Sequence, residues 1–367
     1  MREGWEIKNI GSICDIRTGK LDANASVEHG TYPFFTCSKE VLKIDNYAYD
    51  CECVLIAGNG DLNVKYYNGR FNAYQRTYII SLKKDIKDVC VKYIYKYFEK
   101  YIEKLRQLSV GGVIKYIKLG DITGALLSIP PLPEQQKIVE ELDCLSNMIE
   151  LKKKQLETYD KLAQAIFYDM FGDPITNEKG WNVKKLGEIC NSELGKMLDT
   201  KKNTGSFHPY LCALNVQWGA FNLDIIKEMK IEDEDLERYE VKKGDLLICE
   251  GGDTGRCAIW NSDETIYYQN SLHRVRFTKG NMMPIVCQHI MHHYKQHGEI
   301  DKYSTGQTIK HLVKKTLLTI PLPIPPFDLQ QQFAKKIEAI ENQKKLVKKS
   351  LQEVETLFNS RMDYYFN

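Results

Sequence analysis

Two stretches of the chain, residues 134–171 and 329–365, contain neither glycine nor proline and repeat apolar residues at alternating steps of three and four. Such a stripe predicts one long amphipathic helix in each stretch. We expect the two helices to pair antiparallel in a coiled-coil-like arrangement; the alternative is that each covers an ordinary globular face. The predicted seam residues are Leu142, Leu145, Ile149, Leu156, Ile166, Ile337, Ile340, Val347, Leu351 and Phe358.

The remaining residues, 1–133 and 181–328, carry shorter patterns that are typical of strands. Apolar runs such as residues 53–57 lie between Gly, Asn and Asp residues that favour turns, whereas residues 88–106 and 284–297 predict helices. A proline-rich segment before each long helix ends one element and starts the next. The predicted fold class is therefore α+β, with two globular mixed α/β domains separated by two long antiparallel helices.

The beginning of the chain recurs later in the sequence. Residues 5–14 (WEIKNIGSIC) align with residues 181–190 (WNVKKLGEIC) at an offset of 176. The same offset carries the glycine–lysine pair that ends at Lys20 onto the pair that ends at Lys196. Self-similarity over this distance predicts two copies of one structural unit.

The end of each copy also matches, but at a different offset. Residues 109–115 (SVGGVIK) align with residues 304–310 (STGQTIK) at an offset of 195, as do the Pro-Pro and Gln-Gln pairs around the start of each predicted helix. The second copy therefore has 19 additional residues between its matched ends. We infer a pseudo-twofold internal repeat of one module with two different interiors.

Composition narrows the class of protein. The chain has 367 residues, a formal net charge of +2 and 27% charged residues, which is typical of a globular protein of two or three domains. No apolar stretch predicts a membrane span, and residues 1–20 lack the apolar core of a secretory signal, so we expect a cytoplasmic protein. The 11 cysteines lack paired Cys-x₂-Cys spacing, which indicates buried free thiols rather than a zinc site.

Charge is distributed unevenly between the two predicted helices. Residues 134–180 carry 6 basic and 10 acidic side chains, whereas residues 329–367 carry 7 and 5. Opposite net charges favour pairing of one helix with the other over self-pairing. The preference is modest because exposed ion pairs contribute only about 0–1 kcal/mol each.

Several fragments resemble catalytic motifs but lack an essential part. Residues 57–61 (AGNGD) and 250–255 (EGGDTG) are glycine-rich, yet neither completes a phosphate-binding loop, so we expect turns. Residues 324–327 (IPPF) resemble the amino-methyltransferase motif, whose first residue must accept a hydrogen bond from the target amine. Isoleucine cannot accept one. We therefore predict no catalytic residue, no metal site and no enzymatic activity.

Basic and planar polar side chains recur in the interiors of both copies. Arg suits guanine and Asn or Gln suits adenine in the major groove, while Lys and Arg hold phosphates. The balanced net charge differs from that of many DNA-binding domains, which are strongly basic. The candidate DNA-binding residues are Lys20, Arg70, Asn72, Tyr74, Gln75 and Arg76 in the first copy, and Lys196, Gln269, Asn270, His273, Arg274 and Arg276 in the second.

Taken together, these motifs resemble the specificity subunit of type I restriction–modification enzymes. The duplicated Trp-x-x-x-x-[Leu/Ile]-Gly starts, the Ser-x-Gly-x-x-Ile-Lys element and the run of residues 129–136 (IPPLPEQQ) before a long helix carry the resemblance, in the correct order and over the whole chain. The second copy departs from the pattern at Phe327-Asp328-Leu329, where the first has Leu-Pro-Glu.

The resemblance implies a non-catalytic subunit with two target-recognition domains, residues 1–133 and 181–328, each reading one half of a bipartite DNA site. It implies that residues 134–180, a spacer helix with a linker, and the C-terminal spacer helix 329–367 set the spacing and dock two methyltransferase subunits. S-adenosylmethionine would belong to those subunits, and ATP and magnesium to a separate motor-nuclease subunit, so no cofactor is expected on this chain.

The resemblance also places both copies of the Ser-x-Gly-x-x-Ile-Lys element near DNA. We expect the glycines to be positions of special backbone conformation. The residues concerned are Ser109, Gly111 and Lys115, with their counterparts Ser304, Gly306 and Lys310.

Two other functions fit parts of the pattern. A structural adaptor would bind proteins through its two modules without nucleic acid; DNA recognition, in contrast, weakens steeply with ionic strength. A methyltransferase with its own recognition domain would need a methyl-donor loop and a polar residue before Pro-Pro, and the sequence has neither.

Overall fold

The structure, a computed structural model, describes residues 4–199, 201–277, 280–306 and 310–367. The chain forms two compact units. Unit 1 comprises Met1–Lys154 and Val347–Asn367, and unit 2 comprises Gln155–Leu346. Each unit therefore contains one globular domain together with part of each long helix.

Unit 1 contains a six-stranded sheet in the order β2-β7-β5-β6-β3-β4 and an antiparallel ribbon of β1 with β8. The sheet is antiparallel except for the parallel pair β3 and β6. The predicted strand at residues 53–57 and the predicted helix at 88–106 correspond to β5 and α2. The elements are β1 Glu6–Asn9, α1 Ile10–Ile13, β2 Cys14–Thr18, β3 Tyr32–Phe35, β4 Leu42–Ile44, β5 Tyr49–Ala57, β6 Val64–Ala73, β7 Thr77–Leu82, α2 Val91–Leu108, α3 Leu119–Thr123, β8 Leu126–Ile129 and α4 Leu132–Phe171.

Unit 2 contains two four-stranded sheets, β10-β19-β16-β17 and β14-β11-β18-β15, with the ribbons β12–β13 and β9–β20. The elements are β9 Asn182–Lys185, α5 Leu186–Ile189, β10 Cys190–Leu194, β11 Ser206–Leu211, β12 Val216–Gln217, β13 Ala220–Phe221, β14 Lys227–Ile231, α6 Leu236–Tyr239, β15 Glu240–Val241, β16 Leu246–Cys249, β17 Cys257–Ile259, β18 Ile266–Tyr268, β19 Leu272–Phe277, α7 Pro284–Gln296, α8 Lys314–Leu317, β20 Pro321–Ile324 and α9 Phe327–Phe366.

The two units share one framework, as the repeat predicts. The ribbon β1–β8 recurs as β9–β20, and the parallel pair β3–β6 recurs as β11–β18. The additional residues of the second copy lie mainly between β11 and β16, where they form the β12–β13 hairpin, α6 and β15. In unit 1, only β4 and short loops occupy the corresponding interval. The interiors of the two copies therefore differ in structure as well as in sequence.

The two long helices begin at equivalent positions of the repeat. Helix α4 starts at Leu132 and α9 at Phe327, which is 195 residues later, so the departure at Phe327-Asp328-Leu329 does not shift the helix start. Each helix has 40 residues. Of the helices in the described ranges, none combines the length and the apolar character needed to cross a membrane.

Ion pairs between α4 and α9 show that the helices run antiparallel within each unit. In unit 1, Lys153 Nζ lies 2.9 Å from the carboxylate of Glu355, and the guanidinium of Arg361 donates to Glu141. In unit 2, the ammonium group of Lys344 lies 2.8 Å from Asp160, and the ring of Phe333 packs on that of Phe167. Within each unit, the partner on α9 moves toward the N-terminus as the partner on α4 moves toward the C-terminus. The antiparallel prediction is confirmed.

The predicted seam is the buried stripe of both helices. Leu142 and Leu145 on α4 and three seam residues of α9 are buried, and the others are half-buried, whereas Leu151 outside the seam is 65% exposed. The buried seam residues of α9 are Ile337, Ile340 and Val347.

The ends of the long helices belong to the cores of the globular domains. In unit 1, Leu142 of α4 and Met362 of α9 share one apolar core with Phe98 of α2. In unit 2, Phe333 of α9 is part of the core that contains Ile290 of α7. We expected domain boundaries at residues 133 and 328, but the apolar contacts continue past both positions. Helix and domain therefore form one packed body in each unit.

A buried glutamine ties each long helix to its domain. Gln135 in α4 is 0% exposed and makes three hydrogen bonds: its carbonyl accepts from the Cys90 amide, and its NH₂ group donates to the carbonyls of Asp88 and Pro130, all at 2.8 Å. Cys90 caps the N-terminus of α2, so one side chain joins the starts of two helices. This buried amide uses both of its N–H donors and one of the two lone pairs of its oxygen.

The same arrangement recurs in unit 2. Gln330 is 0% exposed, accepts from the Met283 amide at 2.8 Å, and donates to the carbonyls of Asn281 and Pro325 at 2.9 and 2.8 Å. Met283 caps α7 as Cys90 caps α2. The Gln-Gln pair of the repeat is thus explained by the first glutamine of each pair.

Replacing Gln135 by Leu should lower the free energy of unfolding of unit 1 by about 2–4 kcal/mol, because one amide and two carbonyls lose their buried partner. The neighbouring Gln136 is exposed and provides a matched control. Gln136→Leu should change stability by less than about 0.5 kcal/mol. Urea denaturation of the full chain measures both variants, and equal losses would contradict the assigned role.

His273 in β19 is a buried member of the unit 2 core rather than a surface residue. It is 0% exposed, and its Nε2 lies 2.8 Å from the carbonyl oxygen of Leu312. This distance fits a neutral ring that carries its proton on Nε2. Burial lowers the pKa of His273 to about 4. The candidate role of His273 in DNA contact is therefore wrong, because the side chain is enclosed by its own domain.

The buried His273 should make unit 2 lose stability as the pH falls. The pKa in the unfolded chain, about 6.5, exceeds the folded value, so the unfolded state takes up the proton first. The contribution of the neutral His273 ring to the free energy of unfolding is complete above about pH 6.5 and is about 2 kcal/mol smaller at pH 5. Between pH 7 and pH 5 the melting temperature of His273→Gln should fall less than that of the wild type. The exposed control His29→Gln should show the same fall as the wild type. Identical pH dependence in wild type and His273→Gln would exclude this linkage.

Candidate DNA interface

Three loops of unit 1 meet at one end of the sheet. The Gly58 amide donates to the carbonyl of Arg76 at 2.8 Å, and the Ile117 amide donates to the carbonyl of Gly58 at 3.0 Å. The Gly60 amide donates to the carbonyl of Lys115 at 3.1 Å. The glycine-rich residues 57–61 form a loop between two strands, as expected for a turn. These backbone bonds hold together segments that lie far apart in the sequence.

A cleft of about 320 Å³ lies among these loops, and we call it the Arg76 cleft. Gln75 and Arg76, from the turn between β6 and β7, are exposed at its wall. Tyr116 and Lys118 line the facing wall. The residues of the Arg76 cleft are Thr18, Gly58, Gln75, Arg76, Tyr78, Tyr116, Ile117, Lys118 and Leu119.

Two further candidate residues lie beside this cleft. The Gln75 amide donates to the carbonyl of Leu21 at 2.9 Å, which places the exposed Lys20 next to the β6–β7 turn. Tyr74, half-buried, precedes Gln75 in the same turn. Lys20, Tyr74, Gln75 and Arg76 are thus brought together, although the sequence separates Lys20 from the others.

The Ser-x-Gly-x-x-Ile-Lys element lies in one of the three loops that meet here, which together we call the loop cluster of unit 1. Ser109 ends α2 and donates from its hydroxyl to the carbonyl of Arg106 at 2.6 Å. Gly111 has φ +123°, and a Cβ at this position would lie 2.5 Å from the carbonyl oxygen of Ile114. Only glycine accommodates both conditions. The expected backbone role of Gly111 is confirmed.

Arg70 and Asn72 lie on β6, outside the Arg76 cleft. Arg70 is exposed, with its Nε 3.1 Å from Asp50 and its guanidinium over the ring of Tyr47. Asn72 is 4% exposed; its NH₂ group donates to Asn46 at 3.1 Å, and its oxygen accepts from the Ala73 amide at 3.0 Å. A base cannot reach a side chain buried in this way, so the predicted contact by Asn72 is wrong.

Three cations beside the Arg76 cleft make no ion pair in the part of unit 1 that the structure describes. Within the described ranges, no ion pair joins an acidic side chain to Lys20, Arg76 or Lys115, and all three are exposed. Lys118 is exposed as well. A phosphate backbone approaching this end of unit 1 would therefore meet positive charge that the protein leaves uncompensated.

Unit 2 assembles the same loops at the equivalent place. Thr305 pairs with His311 as Val110 pairs with Tyr116, and His311 also bridges to Gly251. Ser304 donates to the carbonyl of Ile300 at 3.1 Å, and Gly306 has φ +100°. Ile309, the last apolar residue of the repeated element, lies outside the described residues.

Most candidate cations of unit 2 are bound within the protein. Lys196 is 8% exposed, and its ammonium lies 2.6 Å from both Glu232 and Asp235. Burial opposes its charge, but the hydrogen bonds to Asp235 and Glu232 outweigh this and raise the pKa of Lys196. The same bond lowers the pKa of Glu232 to about 2. The predicted DNA contact by Lys196 is therefore wrong, because the charge is neutralised in place.

The arginines of β19 also have internal partners. Arg274 donates to the carbonyls of Arg238 and Glu240 at 2.8 and 2.7 Å. Arg276 makes a bidentate pair with Asp245 at 2.7 and 2.6 Å. These contacts hold β19 to neighbouring elements and occupy both guanidinium groups within unit 2. The predicted base contact by either arginine would require these internal bonds to be exchanged.

Four candidates of unit 2 stay close to its loop cluster. Gln269 and Asn270 are half-buried, and the side-chain NH₂ group of Gln269 donates to the side-chain oxygen of Asn270 at 2.7 Å. Lys310 is exposed and pairs with Asp301 at 2.8 Å, and Ser304 also donates to Thr254 at 3.3 Å. DNA contact at these four positions remains a prediction. Most of the groups that they offer are neutral donors and acceptors.

Sequence reasoning missed four residues at the loop cluster of unit 1. Tyr116 and Lys118 continue the repeated element beyond Lys115, where the alternation of basic and aromatic residues was available as a signal. Val113 and Ile114 are 104% and 63% exposed at the tip of the same loop. Apolar side chains exposed to this degree beside cations suit contact with base edges or with a groove wall.

The arrangement supplies groups for binding rather than for bond breaking. Gln75 and Arg76 offer the amide and guanidinium patterns that recognise bases, Tyr116 offers a ring, and the lysines offer charge. In the ranges that the structure describes, no three His, Cys, Asp or Glu residues are grouped so that they could hold a metal ion.

The sequence matches the family model of the type I restriction modification DNA specificity domain over residues 2–158 and 178–356. The EcoDI specificity subunit of Escherichia coli is 35% identical over 207 residues, or 56% of this chain and 42% of the relative. The EcoKI specificity subunit of Escherichia coli strain K12 is 24% identical over 258 residues, or 65% of this chain and 56% of the relative. The chain spans about half the length of these curated relatives.

The fold resembles the crystal structure of the type I restriction-modification S subunit from M. genitalium, with a TM-score of 0.67, 17% identity, and coverage of 99% of this chain and 96% of that chain. This likeness concerns the fold. The family model, in contrast, matches both copies of the repeat and most of the chain. The chain therefore belongs to the family of the type I restriction modification DNA specificity domain.

Proposed function

We propose that this chain is the DNA-recognition subunit of a type I restriction–modification complex and is not itself an enzyme. The observation that carries the proposal is the repeated loop cluster, present once in each unit and joined in each to the same pair of long helices. A protein with two similar but non-identical clusters is suited to reading two different half-sites. The names of the relatives, all specificity subunits, support the same function.

The partners would be double-stranded DNA, two methyltransferase subunits and motor-nuclease subunits. Outside the seam, the long helices expose large apolar side chains, which suits docking of another protein. Helix α4 exposes Leu151 at 65%, and α9 exposes Leu346 at 61%. In this proposal the helices also set the spacing of the two half-sites, and the complex works on DNA in the cytoplasm.

No cofactor is assigned to this chain. S-adenosylmethionine would bind the methyltransferase subunits, and ATP with magnesium the motor-nuclease subunits. The residues of the two loop clusters are donors and acceptors for a nucleic acid, with no glycine-rich loop between a strand and a helix in the described ranges that would hold a nucleotide.

The two units would bind DNA by different means. Unit 1 leaves Lys20, Arg76 and Lys115 available for phosphates and bases, whereas unit 2 neutralises Lys196 and presents neutral amides at Gln269 and Asn270. Phosphate contact and its dependence on salt would therefore come mainly from unit 1.

Sequencing of methylated bases in cells with and without the gene tests the proposed function. We expect a split motif, with two short specified parts and a fixed unspecified gap, that appears only when this chain and its methyltransferase partner are both present. An unchanged methylome would overturn the proposal. A protein-binding adaptor would give this second outcome.

Replacing Arg76 by Ala should impair reading of one half-site and leave the other half-site intact. Loss of a bidentate contact to a base costs about 1–3 kcal/mol of discrimination, whereas loss of a phosphate contact weakens all sequences equally. Binding of the methyltransferase complex to duplexes with the cognate motif, or with either half scrambled, separates the two cases. Lys84→Ala, an exposed cation of the same domain beyond the other end of β7, is the control and should keep wild-type discrimination. Unchanged affinity of Arg76→Ala on every duplex would remove Arg76 from the interface.

A further inference from the structure

Strand β5 of unit 1 carries two cysteines on one face. Cys51 and Cys53 are two residues apart, and alternate residues of a strand point to the same side. At about 3.3 Å per residue their Cα atoms lie roughly 6.6 Å apart, at the upper end of the range for a disulfide, so closing one requires a local bend of the strand that brings the two Cβ atoms to about 4 Å. Cys51 is half-buried, whereas Cys53 is 0% exposed. One thiol is therefore open to small molecules, and the other lies behind it.

A cation faces the more accessible thiol. The guanidinium of Arg17, on β2, lies 3.7 Å from Cys51 Sγ and is held over the ring of Tyr49. The hydrogen bond from Cys53 and the charge of Arg17 lower the pKa of Cys51 to about 6, against burial and the carboxylate of Asp50. The shared hydrogen bond and burial raise the pKa of Cys53. The surroundings therefore favour the thiolate form at Cys51 and the thiol form at Cys53.

The other buried cysteines have the opposite character. Burial raises the pKa of Cys14 and of Cys190 to about 12, and that of Cys249 to about 11. Thiols of this kind are inert, since the thiolate is the nucleophile. The chain also offers Cys144, which is exposed on α4. It serves as an accessible comparison in the same molecule.

We propose that Cys51 is an oxidisable nucleophile that reacts with peroxides, and that Cys53 captures the product as a disulfide. In the first step the Cys51 thiolate attacks one peroxide oxygen. The S–O bond forms, the O–O bond breaks, and the leaving oxygen takes the electron pair and a proton from solvent. Sulfur is oxidised to sulfenic acid, and the peroxide is reduced to water or an alcohol.

In the second step Cys53 closes the pair. Its thiol loses a proton and attacks the sulfenic sulfur, the S–S bond forms, the S–O bond breaks, and the hydroxide leaves as water. The two cysteines together lose two hydrogen atoms. Arg17 acts on Cys51 as a positioning residue, because its charge holds the thiolate form.

Alkylation of the full chain by iodoacetamide, followed by peptide mass spectrometry, tests the first part. Between pH 8 and pH 6 the rate at Cys51 should fall only about twofold, whereas an ordinary exposed cysteine loses roughly 100-fold. Arg17→Gln should steepen the fall at Cys51, Arg17→Lys should largely restore the wild-type profile, and Lys43→Gln, an exposed cation on β4, should leave it unchanged. The wild-type chain alone already decides the matter. If its alkylation rate fell with pH as steeply at Cys51 as at Cys144, the proposal would be overturned.

Hydrogen peroxide tests the second part. At low peroxide, the wild-type chain should yield a peptide containing Cys51 and Cys53 that has lost two hydrogen atoms, while Cys144 stays reduced. Cys53→Ala should instead accumulate a sulfenic acid at Cys51 that dimedone traps. Oxidation that begins at Cys144, or a wild-type chain in which Cys51 forms neither product, would refute the assignment. Retained far-UV circular dichroism confirms that each variant is folded.

Discussion

Each long helix is held to its domain by one buried amide, and the rest of the structure depends on this attachment. Gln135 and Gln330 satisfy two backbone carbonyls and one amide each, one carbonyl in the proline-rich segment and the other two groups just before α2 or α7. An unsatisfied buried group costs about 1–3 kcal/mol, so the helix start cannot move relative to the cap of α2 or α7 without a large loss. The start of each helix is thereby fixed on its domain by a single side chain.

Apolar packing extends this attachment along the helices. In unit 1, α4, α9 and α2 share one core, and the buried Lys96 of α2 lies 2.9 Å from Asp143 of α4. In unit 2, Phe167 of α4 and Phe333 of α9 stack edge to face, with ring centroids 5.7 Å apart. Because the helices are part of each domain core, a partner that binds a helix acts on a rigid surface of the domain.

The two loop clusters share one backbone framework and differ in their side chains. The bonds that assemble the loops are between backbone atoms, for instance from Ile117 to Gly58 in unit 1 and from Leu312 to Glu250 in unit 2, so they do not depend on side-chain identity. Side chains at the same places are then free to differ. Lys20 is exposed, whereas its counterpart Lys196 is enclosed by Glu232 and Asp235 on the additional residues of the second copy. The two copies thus differ in the chemistry of this site while sharing its frame.

Local features of this protein followed from the sequence alone. The step of three and four between apolar residues determined the long helices and their seam, since the period of a helix is a local property. The repeat determined the paired frameworks, and glycine at positions 111 and 306 indicated positive φ. The fate of individual polar side chains was decided only in the tertiary structure. Arg276 meets Asp245, and Asn72 meets Asn46, across more than 20 residues of sequence. Whether a charged or amide group faces DNA or its own domain depends on which distant element packs beside it, and no local pattern carries that information.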